Sequence, residues 1–105
     1  MINKKTYTKN DLTELIHQKL NLPKDKIKLI IEAVLDSMTD IFMEEKSNIR
    51  LEIRNFGIFE IKKTKPKPKA RNPKTNEIIY VPSRRKISFK PGKFLSKQLK
   101  KEWNE

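Results

Sequence analysis

Residues 62–76, KKTKPKPKARNPKTN, carry seven Lys/Arg and three prolines and no acid. Such a stretch has almost nothing to bury, so any fold of this chain must leave it outside the core. Composition alone leaves two readings open: a disordered basic linker, or a solvated projection from a folded body. The flanks bear on the choice. Ile49, Leu51 and Ile53 alternate with Arg50, Glu52 and Arg54, which is strand periodicity. The alternation resets at Asn55-Phe56-Gly57, and a second run carries Ile58, Phe59 and Ile61. Gly57 marks a turn or a close backbone approach. A third strand is signalled by Ile78, Ile79, Tyr80 and Val81, continues through Ile87 and Phe89, and is closed by Pro91-Gly92.

The basic segment thus joins two runs that should pair antiparallel, and it can form the outer half of a long two-stranded hairpin. With a period of two, Lys63, Lys65, Lys67, Lys69 and Arg71 share one face, and Thr64, Pro66, Pro68 and Ala70 the other. Pro66 and Pro68 then leave their missing N–H groups on the same, unpaired side of the ribbon, where strand prolines are tolerated. Asn72-Pro73-Lys74-Thr75-Asn76 supplies turn chemistry at the tip, with Asn76 able to take a positive φ.

Helical spacing flanks this β region. Thr8 is an N-cap with Asp11 as its capping-box partner, and Leu12, Leu15, Ile16 and Leu20 follow, so a first helix spans about 9–20. Asn21-Leu22-Pro23 breaks it, and Pro23 suits the start of the next. Ile27, Ile30, Ile31, Val34, Leu35, Met38, Ile41 and Phe42 form a broad stripe, a core face or a dimer seam. Phe94, Leu95, Leu99 and Trp103 predict a third helix to the chain's end. The order is α-α-β-β-β-α, an α+β fold, with no internal repeat.

The charge is uneven. Residues 1–60 hold ten basic and ten acidic groups; residues 61–105 hold 15 and 3, which accounts for the whole +12. This asymmetry points to a polyanionic partner for the C-terminal part. Hydrophobic residues make up only 35% of the chain, a thin supply for one small core; either much of the chain lies outside a core or two copies share one. No apolar run approaches the ~18 residues of a membrane span. The start, MINKKTY, lacks the hydrophobic segment of a signal peptide. With no cysteine, one histidine and two glycines, neither a thiolate or metal cluster nor a phosphate-cradling Gly loop can be assembled. His17 lies at a helix boundary, and Asp36 and Asp40 form a solvated stripe. No cofactor, catalytic residue or small-molecule substrate is expected. A basic ribbon suits phosphates, and a rigid apolar tip such as Pro73 can wedge between base steps or simply form a turn.

The order of elements, NFGIF at 55–59, Arg71-Asn72-Pro73 before Lys74-Thr75, and FKPGK at 89–93 resemble the HU and integration host factor family of bacterial DNA-bending proteins. The similarity spans about residues 8–100. It implies one DNA-bending domain over 1–105: a helical dimerisation base at 8–46, a three-stranded antiparallel sheet at 49–90 with a protruding arm at about 62–84, and a C-terminal helix at 91–104. It implies an intertwined homodimer or close heterodimer, with Phe56, Phe59 and Phe89 in the shared core. Pro73 matches the intercalating tip proline, and Arg71 and Asn72 its minor-groove neighbours. Lys62, Lys63, Lys65, Lys67, Lys69, Lys74, Arg84, Arg85 and Lys86 complete the arm contacts. Lys9, Lys24 and Lys93 match flanking phosphate contacts, Lys93 at a helix N-terminus. The implied partner is double-stranded DNA, in the nucleoid of a bacterial cytoplasm.

The sequence departs from the family pattern in several places. Asn55, Ala70 and Asn76 stand where Gly is usual, and Ile87 where Pro is usual. The strand leading to Arg71 is one residue longer, which implies a bulge. The segment before Thr8 and the tail past Leu99 are also longer; their lysines either lengthen the DNA footprint or serve solubility. The competing reading is a basic RNA-binding or ribosome-associated protein, which fits a clasping ribbon less well because the major groove of A-form RNA is narrow.

Overall fold

The computed structural model describes residues 4–101 and Trp103, with residues 67–70 described by their backbone. The chain divides into two compact units, one ending at Met43 and the other beginning at Glu44.

The first unit is a helix pair, α1 (Lys9–Leu20) and α2 (Lys24–Phe42). The Asp11 carboxylate accepts from the Thr8 amide at 2.7 Å and from its hydroxyl at 3.1 Å, closing the start of α1 as the capping pattern implies. Asn21 ends α1 in the left-handed region, φ 56°, and its amide donates to the His17 carbonyl at 2.8 Å. His17 Nδ1 in turn donates to the Leu22 carbonyl at 2.6 Å, so the chain's one histidine pins the interhelical turn. Ile27 and Thr13 are buried between the helices, and the Thr13 hydroxyl is satisfied by the Lys9 carbonyl at 3.0 Å. Of the rest of the α2 stripe, Ile30, Val34 and Leu35 are exposed and Ile31, Met38, Ile41 and Phe42 are half-buried.

The second unit holds β1 (Asn48–Ile53), β2 (Gly57–Lys63), β3 (Lys67–Arg71), β4 (Ile78–Val81), β5 (Arg85–Pro91) and α3 (Lys93–Leu99). An antiparallel sheet in the order β1-β2-β5 carries a separate two-stranded ribbon, β3-β4. Its register aligns Leu51, Phe59 and Phe89 in one row and Ile49, Ile61 and Ile87 in another, so the apolar residues share one face. Phe89 stacks against Phe59 at 4.8 Å and Phe56 at 5.5 Å between ring centroids. Asn55 takes φ 66° in the turn before Gly57, a conformation that asparagine tolerates where glycine is usual. Gly57 is needed for close approach: a Cβ there would lie 2.6 Å from the Lys90 carbonyl and from the Phe89 ring.

Three expectations are revised. The long hairpin is not one continuous ladder; residues 64–66 and 82–84 are irregular, because Pro66 and Pro82 cannot donate to it. The β3-β4 register steps from Lys67↔Val81 to Ala70↔Ile79, setting two residues, Pro68 and Lys69, against one, Tyr80. That is the extra residue of a bulge, with Pro68 inside it, and it interrupts the single two-residue alternation expected from 63 to 71. Finally, α3 ends at Leu99 rather than running to 104. The helix packs on β5, and a short helix extends only where packing rewards it; Trp103 is irregular and exposed, while residues 102 and 104 lie outside the described residues.

Candidate nucleic-acid interface

The ribbon leaves the sheet through a two-residue closure. The Thr64 amide and hydroxyl both donate to the Arg84 carbonyl, at 2.6 and 3.0 Å, and the same hydroxyl accepts from the Arg84 amide at 3.0 Å. Beyond this point β3 and β4 pair again and run to the tip. There the Asn72 amide donates to the Glu77 carbonyl at 2.8 Å and the Asn76 amide to the Asn72 carbonyl at 2.7 Å. Asn72 Oδ1 accepts from the Lys74 amide at 3.0 Å, an Asx turn. Asn76 takes φ 61°, as the turn chemistry implies. These bonds enclose Pro73 in a closed loop with its ring exposed at the tip.

One side of the ribbon is concave. A groove of about 490 Å³ runs from the tip to the arm's root, lined by Asn72 and Pro73 at one end and by Thr64, Lys65, Arg71, Arg84 and Lys86 along it. Four cations and the tip proline therefore meet in one groove. Its remaining lining, Ile79, Val81 and Pro82, was not singled out from sequence; the shared parity of Ile79 and Val81 was the available signal. A groove lined by cations and apolar side chains together can hold a phosphate backbone while presenting apolar contact to sugars.

At the root, Lys63, Arg84 and Arg85 adjoin Glu45, Lys46, Ser47 and Ser83 around a second hollow of about 480 Å³. Arg85 is also structural: its Nη1 donates to the Glu44 and Lys46 carbonyls at 2.8 and 3.2 Å, tying down the segment before β1. The side chains of Lys67 and Lys69 lie outside the described residues.

The remaining sequence candidates differ in their partners. Lys9 pairs with Glu32 at 2.6 Å and Lys24 with Glu14 at 2.6 Å. The hydrogen bond and charge of Glu32 raise the Lys9 ammonium pKa, and the Lys24 bond holds the Glu14 carboxyl low. Lys62 shares Glu60 with Lys90, at 3.4 and 3.1 Å. These two bonds, that to Lys90 foremost, lower the Glu60 carboxyl. Among the described residues, no carboxylate lies within ion-pair distance of Lys63, Lys65, Arg71, Lys74, Arg84, Lys86 or Lys93. The arm's cations are thus open to an outside anion, whereas Lys9, Lys24 and Lys62 must first exchange a carboxylate for it. Phe56, Phe59 and Phe89 cluster as expected, yet Phe56 is 47% and Phe89 40% exposed.

No described helix is long and apolar enough to cross a membrane. Among the described residues no group of three His, Cys, Asp or Glu is placed to hold a metal ion.

Residues 7–100 match the family model described as bacterial DNA-binding protein. A probable DNA-binding protein HU of Chlamydia trachomatis is 37% identical over 89 residues, covering 84% of this chain and 85% of that protein. The integration host factor alpha subunit of Hahella chejuensis is 35% identical over 88 residues, covering 84% of each. The DNA-binding protein HU of Thermotoga maritima is 32% identical over 93 residues, 89% of this chain and 99% of that one. In three dimensions the chain is similar to HU in an Anabaena HU–DNA cocrystal structure, with a TM-score of 0.77 at 25% identity, covering 91% of this chain and all of the other.

Proposed function

The chain belongs to the bacterial DNA-binding protein family of HU and integration host factor, and from that premise we propose that it is a dimeric, DNA-bending nucleoid protein. The observation that carries this reading is the ribbon groove, where Lys65, Arg71, Arg84 and Lys86 converge with Pro73 at the tip. A relative's fold was solved on DNA, and a groove of this charge suits the minor-groove edge and its phosphates. Each Pro73 enters one base step and kinks it, while Lys9, Lys24 and Lys93 hold the flanking duplex against the body.

Dimerisation follows from what the chain leaves uncovered. Among the described residues the buried hydrophobic side chains are Ile27 and Ile61 alone, too few to offset the ordering entropy of about 100 residues. A second copy covers the α2 stripe and the Phe56–Phe89 cluster and supplies the second arm.

The energetics set the partner's properties. Bending 20–30 bp costs on the order of 1–6 kcal/mol, and unstacking a step a few more. Contacts available only on bent DNA offset this, so flexible, mismatched or nicked sites bind best. A dimer that neutralises about ten phosphates gives a slope near −9 for log K against log salt.

The test is FRET between the ends of a duplex of about 30 bp, titrated with wild type and Pro73→Ala. End-to-end shortening by wild type that Pro73→Ala reduces while still binding supports bending and wedge together. Saturable binding without shortening leaves a basic coating protein. Preference for duplex RNA over duplex DNA in competition defeats the reading outright.

A further inference from the structure

β3 and β4 form a two-stranded sheet, so each has one open edge. An open edge is a row of unpaired backbone donors and acceptors, and charge or proline along it keeps other strands away. β3 reads KPKAR and is guarded on both counts. β4 reads IIYV and carries neither. From Ile78 to Ser83 the chain bears no charge, inside the region that holds the whole excess of +12.

The side chains repeat the contrast. Ile79 and Val81 line the cationic groove, whereas Ile78 and Tyr80 are absent from its lining. The latter two alternate onto the other face of β4 and are 63% and 64% exposed. Glu77, the one acid in the sequence between residues 61 and 101, precedes them and is exposed. Among the described side chains, no cation lies within ion-pair distance of it. None of these three residues gains from a phosphate, so they suit a different partner.

We propose that β4 is a self-pairing edge, through which the arm of one DNA-bound dimer joins the arm of the next, antiparallel, β4 to β4. The occupant is read from charge. Whatever covers this edge must be an open strand, neutral along its centre and cationic near Glu77. The β4 of another copy, followed by Arg84 and Arg85, meets all three conditions. Pairing centred on Tyr80 sets the two rings opposite each other and Ile79 opposite Val81. It sets Glu77 opposite Ser83, one residue from Arg84. The contact is isologous, so each of these pairs occurs twice. Four residues a side is far short of the roughly 20–30 of a stable interface. The contact therefore acts where a duplex holds two dimers side by side, at high effective concentration, and its consequence is cooperative loading. The inference rests on the DNA-bending reading above.

The chain has no cysteine, so Tyr80→Cys places a single reporter on the proposed axis. Directly opposite residues of an antiparallel pair stand about 4.5–5.5 Å apart at Cα, inside the disulfide range. The variant is oxidised on a duplex of about 60 bp, room for two bent segments, and on one of about 30 bp. Disulfide-linked chain pairs are expected on the longer duplex and not on the shorter. Thr75→Cys, at the exposed tip of the same arm, should stay unlinked on both. In a separate titration, Tyr80→Lys sets like charges across the axis. It should bind the shorter duplex at least as tightly as wild type, yet lose an enhancement of about tenfold in loading the second dimer on the longer one. Equal linking at the two positions, or on the two duplexes, means random or internal collisions and overturns the proposal. Cooperativity that wild type lacks, or that Tyr80→Lys retains, overturns it too. If wild type does not shorten the 30 bp duplex in FRET, the DNA-bending reading fails instead, so the two failures are distinct.

Discussion

Thr64 and Arg84 are joined by three hydrogen bonds, two into the Arg84 carbonyl and one from its amide, at the point where the ribbon leaves the sheet. Two of the three need the Thr64 hydroxyl. Thr64→Val keeps the β-branched shape but removes both, each worth about 0.5–1.5 kcal/mol. Local opening should become easier by about 1–2 kcal/mol, and exchange of the Arg84 amide about tenfold faster. The sheet itself should keep its melting temperature within a few degrees. An arm with a looser root pays more to be ordered on DNA, so affinity should fall severalfold. Unchanged exchange at Arg84 would show that the backbone bond alone holds the root.

Gly57 has no room for a side chain. The nearest obstacle to a Cβ is the Lys90 carbonyl, a backbone atom in the paired strand, together with the Phe89 ring, both at 2.6 Å. Gly57→Ala must push β2 from β5 or displace Phe89, at a cost of about 1–3 kcal/mol. For a domain of this size that lowers the melting temperature by roughly 4–8 °C per kcal/mol. Gly92→Ala is the comparison: its Cβ would stand 3.3 Å from the Phe56 backbone, so a small shift accommodates it. Equal melting of the two variants would contradict the geometry.

Glu60 sits between Lys62 and Lys90 on the sheet face opposite the phenylalanines. These lysines hold its carboxyl below the ordinary range. Its contribution to stability is therefore present above the unfolded pKa, about 4.3, and lost as pH falls through the lower folded value. Glu60→Gln should melt below wild type at pH 7 and level with it in more acidic solution. DNA binding should move the other way, because two lysines are released for phosphate. Affinity at low salt should rise severalfold, and the salt slope should steepen by about 1–2. Weaker binding by the variant would show that Glu60 positions those lysines rather than withholding them.

Local chemistry made much of this fold legible. Thr8 with Asp11, and Asn21 before Pro23, mark the ends of α1, because caps are decided by a few adjacent residues. Asn76 is legible as a positive-φ residue for the same reason. The ribbon's interior was less so: lysines at alternate positions describe charge, not hydrogen bonding, and the breaks at 64–66 and 82–84 are set by which amides the prolines remove. The spacing of Phe94, Leu99 and Trp103 overstated α3, since periodicity does not report whether anything packs on the last turn. The carboxylates of Lys9 and Lys24 lie on the other helix of the pair, so their partners belong to tertiary structure. The apolar lining of the groove likewise depends on the pairing of β3 with β4.

Phe89 is the residue on which the dimer can be decided. Its ring lies between Phe56 and Phe59 at 5.5 and 4.8 Å, yet 40% of the residue remains exposed. An isolated chain gains little from such a cluster, because water still reaches much of it. Covered by a second copy, the cluster becomes a core, and truncation there costs about 3–5 kcal/mol. Wild type should sediment at twice the chain mass at micromolar concentration, and its melting temperature should rise with protein concentration, as mass action requires. Phe89→Ala should dissociate at concentrations where wild type is dimeric and should lose DNA bending with the dimer. Arg50→Gln on the opposite sheet face, whose guanidinium pairs with Glu52 at 2.9 Å, should leave assembly unchanged. A monomer that melts at a concentration-independent temperature would remove the shared core, and with it the second arm on which the bending mechanism depends.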